Sequence, residues 1–191
     1  MIANSKDWWE HEFQNNWEIG IDGKEQTRYF MKLLLKYSHM ELYGDILDWG
    51  CALGQGVDEI KSQYPECNVE GYDFSETAVT KAKKVFNGLN FTCELPSKQY
   101  DFVITSNCIE HFSDPNQQLR EILKLSKEYA VIMAPYNQIE VNEVHPVTIN
   151  ETTFSNVLDG FNKIRTVLIP NEKPELGGGE QILIVYRKAT A

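Results

Sequence analysis

The sequence predicts an α/β fold: a doubly wound, seven-stranded sheet, mostly parallel with an antiparallel C-terminal strand, and helices on both faces. Three observations lead there. Strand-like apolar runs alternate with helical patterns from residue 45 to residue 133. The first run empties into a turn carrying Gly50, Gly54 and Gly56, after which helical spacing begins. The chain then closes on two strand-like runs that no helix separates. Alternation implies right-handed crossovers between parallel strands, and the last pair should be antiparallel.

Residues 7–17 carry Trp9, Phe13 and Trp17 at i, i+4 and i+8, the stripe of an amphipathic helix. A break at 20–23 precedes a second helical pattern over 24–40 through Phe30, Met31, Leu34 and Leu35, and Gly44 stands before the first strand. The 191 residues fit one domain, with 1–43 as an N-terminal helical cap and 44–191 as the sheet-bearing core. The aromatic stripe packs the helix pair on that core, or Trp9 and its neighbours form a lid over a ligand cleft.

Glycine suits a strand-to-helix junction because positive φ costs it little and a ligand can lie against its backbone. The spacing here is G-x-x-x-G-x-G with Ala52 between, which departs from the G-x-G-x-x-G of nicotinamide and flavin proteins. Asp48 stands at the strand end, where a carboxylate orders the turn or meets a cationic ligand group. A helix over 57–64 ends at Pro65, and a second strand over 68–72 ends at Asp73, nineteen residues beyond Gly54. At that separation an acid either accepts both hydroxyls of a ribose or simply caps the next helix. Phe74 offers a face to a purine, and Ser75 is the expected cap of a helix reaching Phe86.

Strands follow at 89–93 and 100–106, the latter an almost continuous apolar run as in a buried parallel strand. It opens into Asn107 to His111. Ser113 or Asp114 then caps a helix that Pro115 begins and residue 126 ends, and a fifth strand occupies 130–133. The polar, aperiodic stretch 137–150 holds Glu140, Glu143 and His145 and reads as a long binding loop. A short helix over 152–158 and closing strands at 163–169 and 181–187 complete the chain, this last pair being the only one expected to lack an intervening helix.

A net charge of −10 and a pI near 4.9, without a basic run, argue against nucleic acid as a partner. No apolar run is long enough for a membrane span and the N-terminus lacks a signal-peptide layout, so no membrane partner and a cytoplasmic location are expected. Cys51, Cys67, Cys93 and Cys108 form no C-x-x-C pair, so no metal site is expected and the cysteines are read as small buried residues.

Three segments in fixed order, Asp48-Trp-Gly-Cys-Ala-Leu-Gly-Gln-Gly56, Val69-Glu-Gly-Tyr-Asp73-Phe-Ser75 and Ile104-Thr-Ser-Asn-Cys-Ile-Glu-His111-Phe112, resemble the class I S-adenosylmethionine-dependent methyltransferases, in particular their small-molecule branch. The resemblance covers about 44–135 and implies a Rossmann-like sheet, S-adenosylmethionine as cofactor and S-adenosylhomocysteine as product. It places Asp48, Gly50 and Gly54 along the amino-acid part of the cofactor, with Ala52 at the family's middle glycine. Asp73 falls on the ribose hydroxyls, Phe74 on the adenine, Glu94 with Leu95 near its amino group, and Ser106 with Asn107 at the methionine amine. The Glu110-His111 pair borders the cofactor end of the pocket in the resembling enzymes.

Methyl transfer from a sulfonium is an in-line displacement with an activated donor, so alignment is the main task and is worth roughly 7–11 kcal/mol. A hydroxyl or protonated amine acceptor also needs a base, for which His145 is the first candidate and His111 the second. Tyr136, Glu143 and Trp9 are candidates for acceptor binding. The expected activity is transfer to an oxygen or nitrogen of a small molecule or a sugar- or lipid-linked intermediate, whose selection falls to the N-terminal helices and the 137–150 loop. A non-catalytic cofactor-binding or partner subunit is the alternative, and a nucleotide-dependent oxidoreductase is disfavoured by the glycine spacing.

Overall fold

The computed structural model describes residues 1–19, 23–138, 142–177 and 179–190. Glu140 and most of the expected break at 20–23 lie outside the described residues. Five strands, β1 (Asp45–Trp49), β2 (Asn68–Tyr72), β3 (Asn90–Thr92), β4 (Tyr100–Ser106) and β5 (Ser126–Pro135), pair in parallel. Three more, β6 (Val157–Leu158), β7 (Phe161–Ile169) and β8 (Gln181–Lys188), pair antiparallel. The sheet order is β3-β2-β1-β4-β5-β8-β7-β6, so the chain turns back between β1 and β4.

Alternation along the central strands explains the two helical layers. Ile46, Phe102 and Ile104 face one side with Phe30 and Leu34 of α2 (Gly23–Ser38), Val57 and Ile60 of α3 (Gln55–Gln63), and Val79 and Ala82 of α4 (Glu76–Val85). Leu47 and Val103 face the other, with Leu119, Ile122 and Leu123 of α5 (Pro115–Leu125). A strand buried on both faces carries apolar side chains at odd and even positions alike, which is why β4 reads as a continuous run. A third cluster, Trp9, Phe13, Ala52, Leu53 and Ala78, packs α1 (Lys6–Asn15) onto the glycine turn at the carboxyl ends of the strands. The helix starts follow local chemistry. Ser75 Oγ accepts from the Ala78 N–H at 3.1 Å, and Asp114 Oδ1 from the Gln117 N–H at 3.0 Å, with Pro115 in the first turn.

Among the described residues the sheet has eight strands rather than the expected seven, because β6 replaces the helix expected over 152–158. Phe154 and Leu158 are both buried, and their separation of four residues imitates a helical period. The segment is instead a turn in which the Asn150 side chain accepts from the Thr152 N–H at 2.9 Å and the Asn150 N–H donates to Thr153 Oγ1 at 2.9 Å. The connection from β3 to β4 also contains no helix, so the closing pair is not alone in that respect. β5 begins four residues before the expected strand; exposed Lys127 and Glu128 hide its start in the sequence.

Gly54 tests how tightly the turn is packed. It sits at φ +90°, and an added Cβ would stand 2.8 Å from the Phe91 ring, whereas Gly160, at φ +81°, has nothing within 4 Å of that position. Gly160→Ala should cost only the left-handed conformation, about 1–2 kcal/mol. Gly54→Ala should cost a further ~1–3 kcal/mol of overpacking, measured from denaturant midpoints; equal losses would show that Phe91 gives way.

Candidate functional site

A cleft opens at the carboxyl ends of β1, β2 and β4. This is where the direction of winding reverses, the crevice in which doubly wound sheets bind ligands. Its floor is the turn after β1. The Gly50 and Cys51 N–H groups donate to the Tyr72 carbonyl at 2.8 and 2.9 Å, locking the turn to the end of β2. Gly50 lies at φ +81°, and a Cβ there would stand 2.4 Å from Cys108 Sγ, so the floor admits no side chain. Ala52, at φ +47°, holds the left-handed conformation with a Cβ present, a strain of roughly 1–2 kcal/mol.

Asp73 ties these pieces together. Its Oδ2 accepts from the Ala52 N–H and its Oδ1 from the Ser75 N–H, each at 2.9 Å. Burial pushes its pKa up to about 6 even though both amide bonds pull it down. Each oxygen keeps lone-pair capacity beyond its one amide, and the residue lines the cleft.

Helix α1 forms the opposite wall. The Glu10 carboxylate accepts from the Glu76 and Thr77 N–H groups at 2.7 and 3.0 Å, capping α4 from outside its own chain segment. Burial raises the Glu10 pKa, but its bonds to Thr77 and Glu76 outweigh that and leave it lowered. Lys81 Nζ donates to the Phe13 carbonyl at 2.7 Å, and the Asn4 amide donates to the Val144 carbonyl at 2.8 Å. So fixed, α1 and the turn that follows it present Trp9, Phe13 and Trp17 to the cleft.

At the end of the cleft the Trp9 and His111 rings meet edge to face at 4.9 Å, and the His111 and His145 rings lie 4.8 Å apart. His111 Nδ1 is 2.9 Å from the Val144 carbonyl and His145 Nδ1 is 2.7 Å from Gln138 Oε1. These oxygens only accept, so each Nδ1 carries the hydrogen and each Nε2 keeps a lone pair. Burial lowers the pKa of both rings, His111 to about 4, so both are neutral at pH 7. Next to them Glu110 is buried, its Oε2 has no hydrogen-bond partner among the described residues, and burial pushes its pKa up to about 8.

A family model described as a methyltransferase domain matches residues 23–143, more than half of the chain. The chain belongs to this methyltransferase family. No curated protein sequence matches it. Solved structures of the same fold include the magnesium protoporphyrin IX methyltransferase from Synechocystis PCC 6803 with bound S-adenosylhomocysteine. That pair is 15% identical, covers 92% of this chain and 88% of the other, and has a TM-score of 0.64. The plantazolicin methyltransferase BpumL, with S-adenosylhomocysteine, is 16% identical over 96% of this chain and 95% of that one, at 0.62. A chain from the complex containing the Haloferax volcanii Trm112 methyltransferase activator is 14% identical over 95% and 98%, at 0.75.

S-adenosylmethionine, the cofactor that the sequence resemblance implies, is one that the cleft fits. Asp73 has lone pairs for a diol, Phe74 a ring beside it, and the Gly50 backbone is bare. Ser106, Asn107, Trp9 and His111 line the same cleft. His145 reaches it through His111. Asp48 and Gly54 lie beneath the turn rather than on the cleft wall, Gly54 as the N-cap of α3. Glu94 and Leu95 are exposed on the β3–β4 connection, away from the lining. Tyr136 stands outside as well, its hydroxyl donating to Glu151 at 2.8 Å, and Glu143 is exposed, offering its carbonyl to Asn4. Sequence reasoning missed Glu10 as the anchor of α1 and Gln26, Thr27 and Phe112 as lining residues. Nothing local marks Glu10, Gln26 or Thr27, because each acts across elements distant in the chain. Among the described residues no helix is long and apolar enough to cross a membrane.

Asp48 is buried, and its Oδ2, unpartnered among the described residues, stands where a Cβ on Gly56 would come within 2.5 Å. Burial first, and Asp73 second, raise its pKa from 3.8 to about 7. A carboxyl with a raised folded pKa contributes its stability below the unfolded value and loses it as pH rises through the folded one. Asp48→Asn should therefore gain melting temperature relative to the parent on going from pH 5 to pH 8, by an amount equivalent to a few kcal/mol. Parallel melting curves at the two pH values would contradict this placement of the charge.

Proposed function

We propose that this methyltransferase, acting as a single domain with residues 1–43 as its cap, methylates an oxygen or nitrogen of a small molecule with an apolar or aromatic body. The carrying observation is one cleft with two chemically distinct ends. Gly50, Asp73 and Phe74 furnish a nucleoside end, and His111 with His145 furnishes a polar end beneath an aromatic wall of Trp9, Phe13 and Trp17. Three fold neighbours support the reading by what they act on or bind: magnesium protoporphyrin IX, plantazolicin and, for coclaurine N-methyltransferase, N-methylheliamine. A lipid- or sugar-linked acceptor with an aromatic or apolar body would satisfy the same wall.

The Asp73 oxygens accept the ribose hydroxyls, Phe74 covers the adenine, and Ser106 and Asn107 meet the amino-acid end. When bound, S-adenosylmethionine supplies a methyl group on a cationic sulfur, already activated for displacement. The chain's part is to hold the acceptor atom in line and to exclude water. Fixing two reactants in that way is worth roughly 7–11 kcal/mol. Trp9, Phe13 and Trp17 do the excluding, and the free Nε2 lone pairs of His111 and His145 accept a hydrogen bond from the acceptor's O–H or N–H, orienting its nucleophilic lone pair.

Calorimetric titration with S-adenosylmethionine, S-adenosylhomocysteine and NAD is the first test. The first two should bind and NAD should not; binding of NAD alone would sink the proposal in favour of an oxidoreductase. Asp73→Asn, which turns one of the two acceptors into a donor facing a backbone N–H, should weaken S-adenosylhomocysteine at least tenfold. His145→Ala should leave that affinity unchanged and slow turnover of an acceptor found by screening for S-adenosylhomocysteine release. Full activity of His145→Ala would remove it from the site.

A further inference from the structure

We infer that Glu110, His111 and His145 form a binding site for a first-row divalent transition-metal cation at the acceptor end of the cleft. One potential donor atom from each of the three lies within 4.8 Å of the other two. Donors about 2.1 Å from a shared ion stand about 3–3.5 Å apart, so binding requires the three side chains to draw in by roughly 1 Å. The sequence gives no warning of this. Thirty-three residues separate the adjacent pair from His145, and the absence of a C-x-x-C motif led to the expectation of no metal.

Two features beyond proximity point to an ion. The first is Glu110. Its side chain is 2% exposed, and Oε2 has no hydrogen-bond partner among the described residues. A buried carboxylate oxygen without a donor or counter-charge is costly, and a cation supplies both needs. The second is the orientation of the imidazoles. Metal-binding histidines commonly anchor one ring nitrogen on a carbonyl or carboxylate oxygen and ligate with the other. Here both rings are anchored through Nδ1, His111 on the Val144 carbonyl and His145 on Gln138 Oε1, leaving both Nε2 lone pairs free. Two imidazoles and a carboxylate suit Zn²⁺, Fe²⁺, Co²⁺ or Mn²⁺ better than Mg²⁺ or Ca²⁺, which take oxygen ligands throughout.

Three protein donors leave coordination positions open, and His111 lines the cleft. Resting on the methyltransferase reading, the inference thereby narrows the acceptor to a molecule whose own oxygen atoms ligate a cation, such as a vicinal diol or a hydroxy-carbonyl compound. The ion would fix the acceptor's oxygen and favour its deprotonated form, a task that an imidazole alone would otherwise perform as base.

The test is titration of the tag-free full chain with Co²⁺, followed by its visible absorption bands, with S-adenosylhomocysteine binding measured on every sample. One Co²⁺ per chain should bind saturably. Glu110→Gln, which is nearly isosteric, and His145→Ala should each weaken it at least tenfold while S-adenosylhomocysteine affinity is retained, showing that the variants are folded. Absence of saturable binding would overturn the site, as would binding indifferent to both substitutions or carrying the near-ultraviolet band of thiolate ligation by the cysteines. Cofactor binding without cobalt binding removes only the ion; cobalt binding without cofactor binding leaves the ion site standing and removes the methyltransferase reading on which the acceptor class rests.

Discussion

The buried carboxylate of Asp73 is the constraint around which the cleft is arranged. It is made at the end of β2, and its two oxygens hold the Ala52 and Ser75 amides. One bond fixes the turn that follows β1 and the other fixes the start of α4. The same turn is bonded from its other side to the Tyr72 carbonyl, one residue before Asp73. Backbone groups that would be orphaned where a strand stops are thus satisfied by the neighbouring strand's end. The cost is a desolvated acid and a left-handed alanine, both concentrated at the floor of the cleft. A carboxylate held by two backbone amides cannot swing away, so its remaining lone pairs keep a fixed position in the cleft lining.

Magnitudes decide what keeps α1 across the cleft. The Lys6–Glu76 pair joins side chains that are 55% and 73% exposed, and pairs of that kind contribute about 0–1 kcal/mol. Burying Trp9 and Phe13 contributes more, roughly 1.5–3 kcal/mol for each large apolar side chain. Glu10 adds direction. Its bonds to two free amides at the N-terminus of α4 tolerate little rotation, so they set the register in which the aromatic stripe meets the cleft. The wall is held by apolar burial and placed by a helix cap.

Legibility followed the range of the interactions. β2 and β4 could be read to the residue, β2 because Asp73 and the capping Ser75 follow it directly and β4 because burial on both faces writes an almost unbroken apolar signal. Residues 152–158 misled because Phe154 and Leu158 show a spacing of four for a tertiary reason, each filling the layer beside α5 from a turn and a two-residue strand. The floor of the cleft was legible as well, since glycine and acid positions there answer to local backbone geometry. Its far end was not. The approach of His145 to His111, the capping of α4 by Glu10 and the isolation of Glu110 all depend on where a loop and an N-terminal helix come to rest, which periodicity does not encode.

Those two long-range features meet at one atom. The Val144 carbonyl accepts from the Asn4 amide at 2.8 Å and from His111 Nδ1 at 2.9 Å. The first bond ties the segment just before α1 to the loop, and the second selects the tautomer of His111. The loop in turn is braced by the Asn142 side chain, which accepts from the Val144 and His145 amides at 2.9 Å each. Closure of the aromatic wall and orientation of the imidazole are therefore coupled through a single peptide group. A movement of α1 that withdraws Asn4 alters the carbonyl on which His111 is anchored, and Trp9, whose ring edges against His111, moves with it. The His111 end of the cleft acquires its hydrogen-bonding pattern only with the wall in place, so the segment that walls the cleft also sets the polar groups inside it.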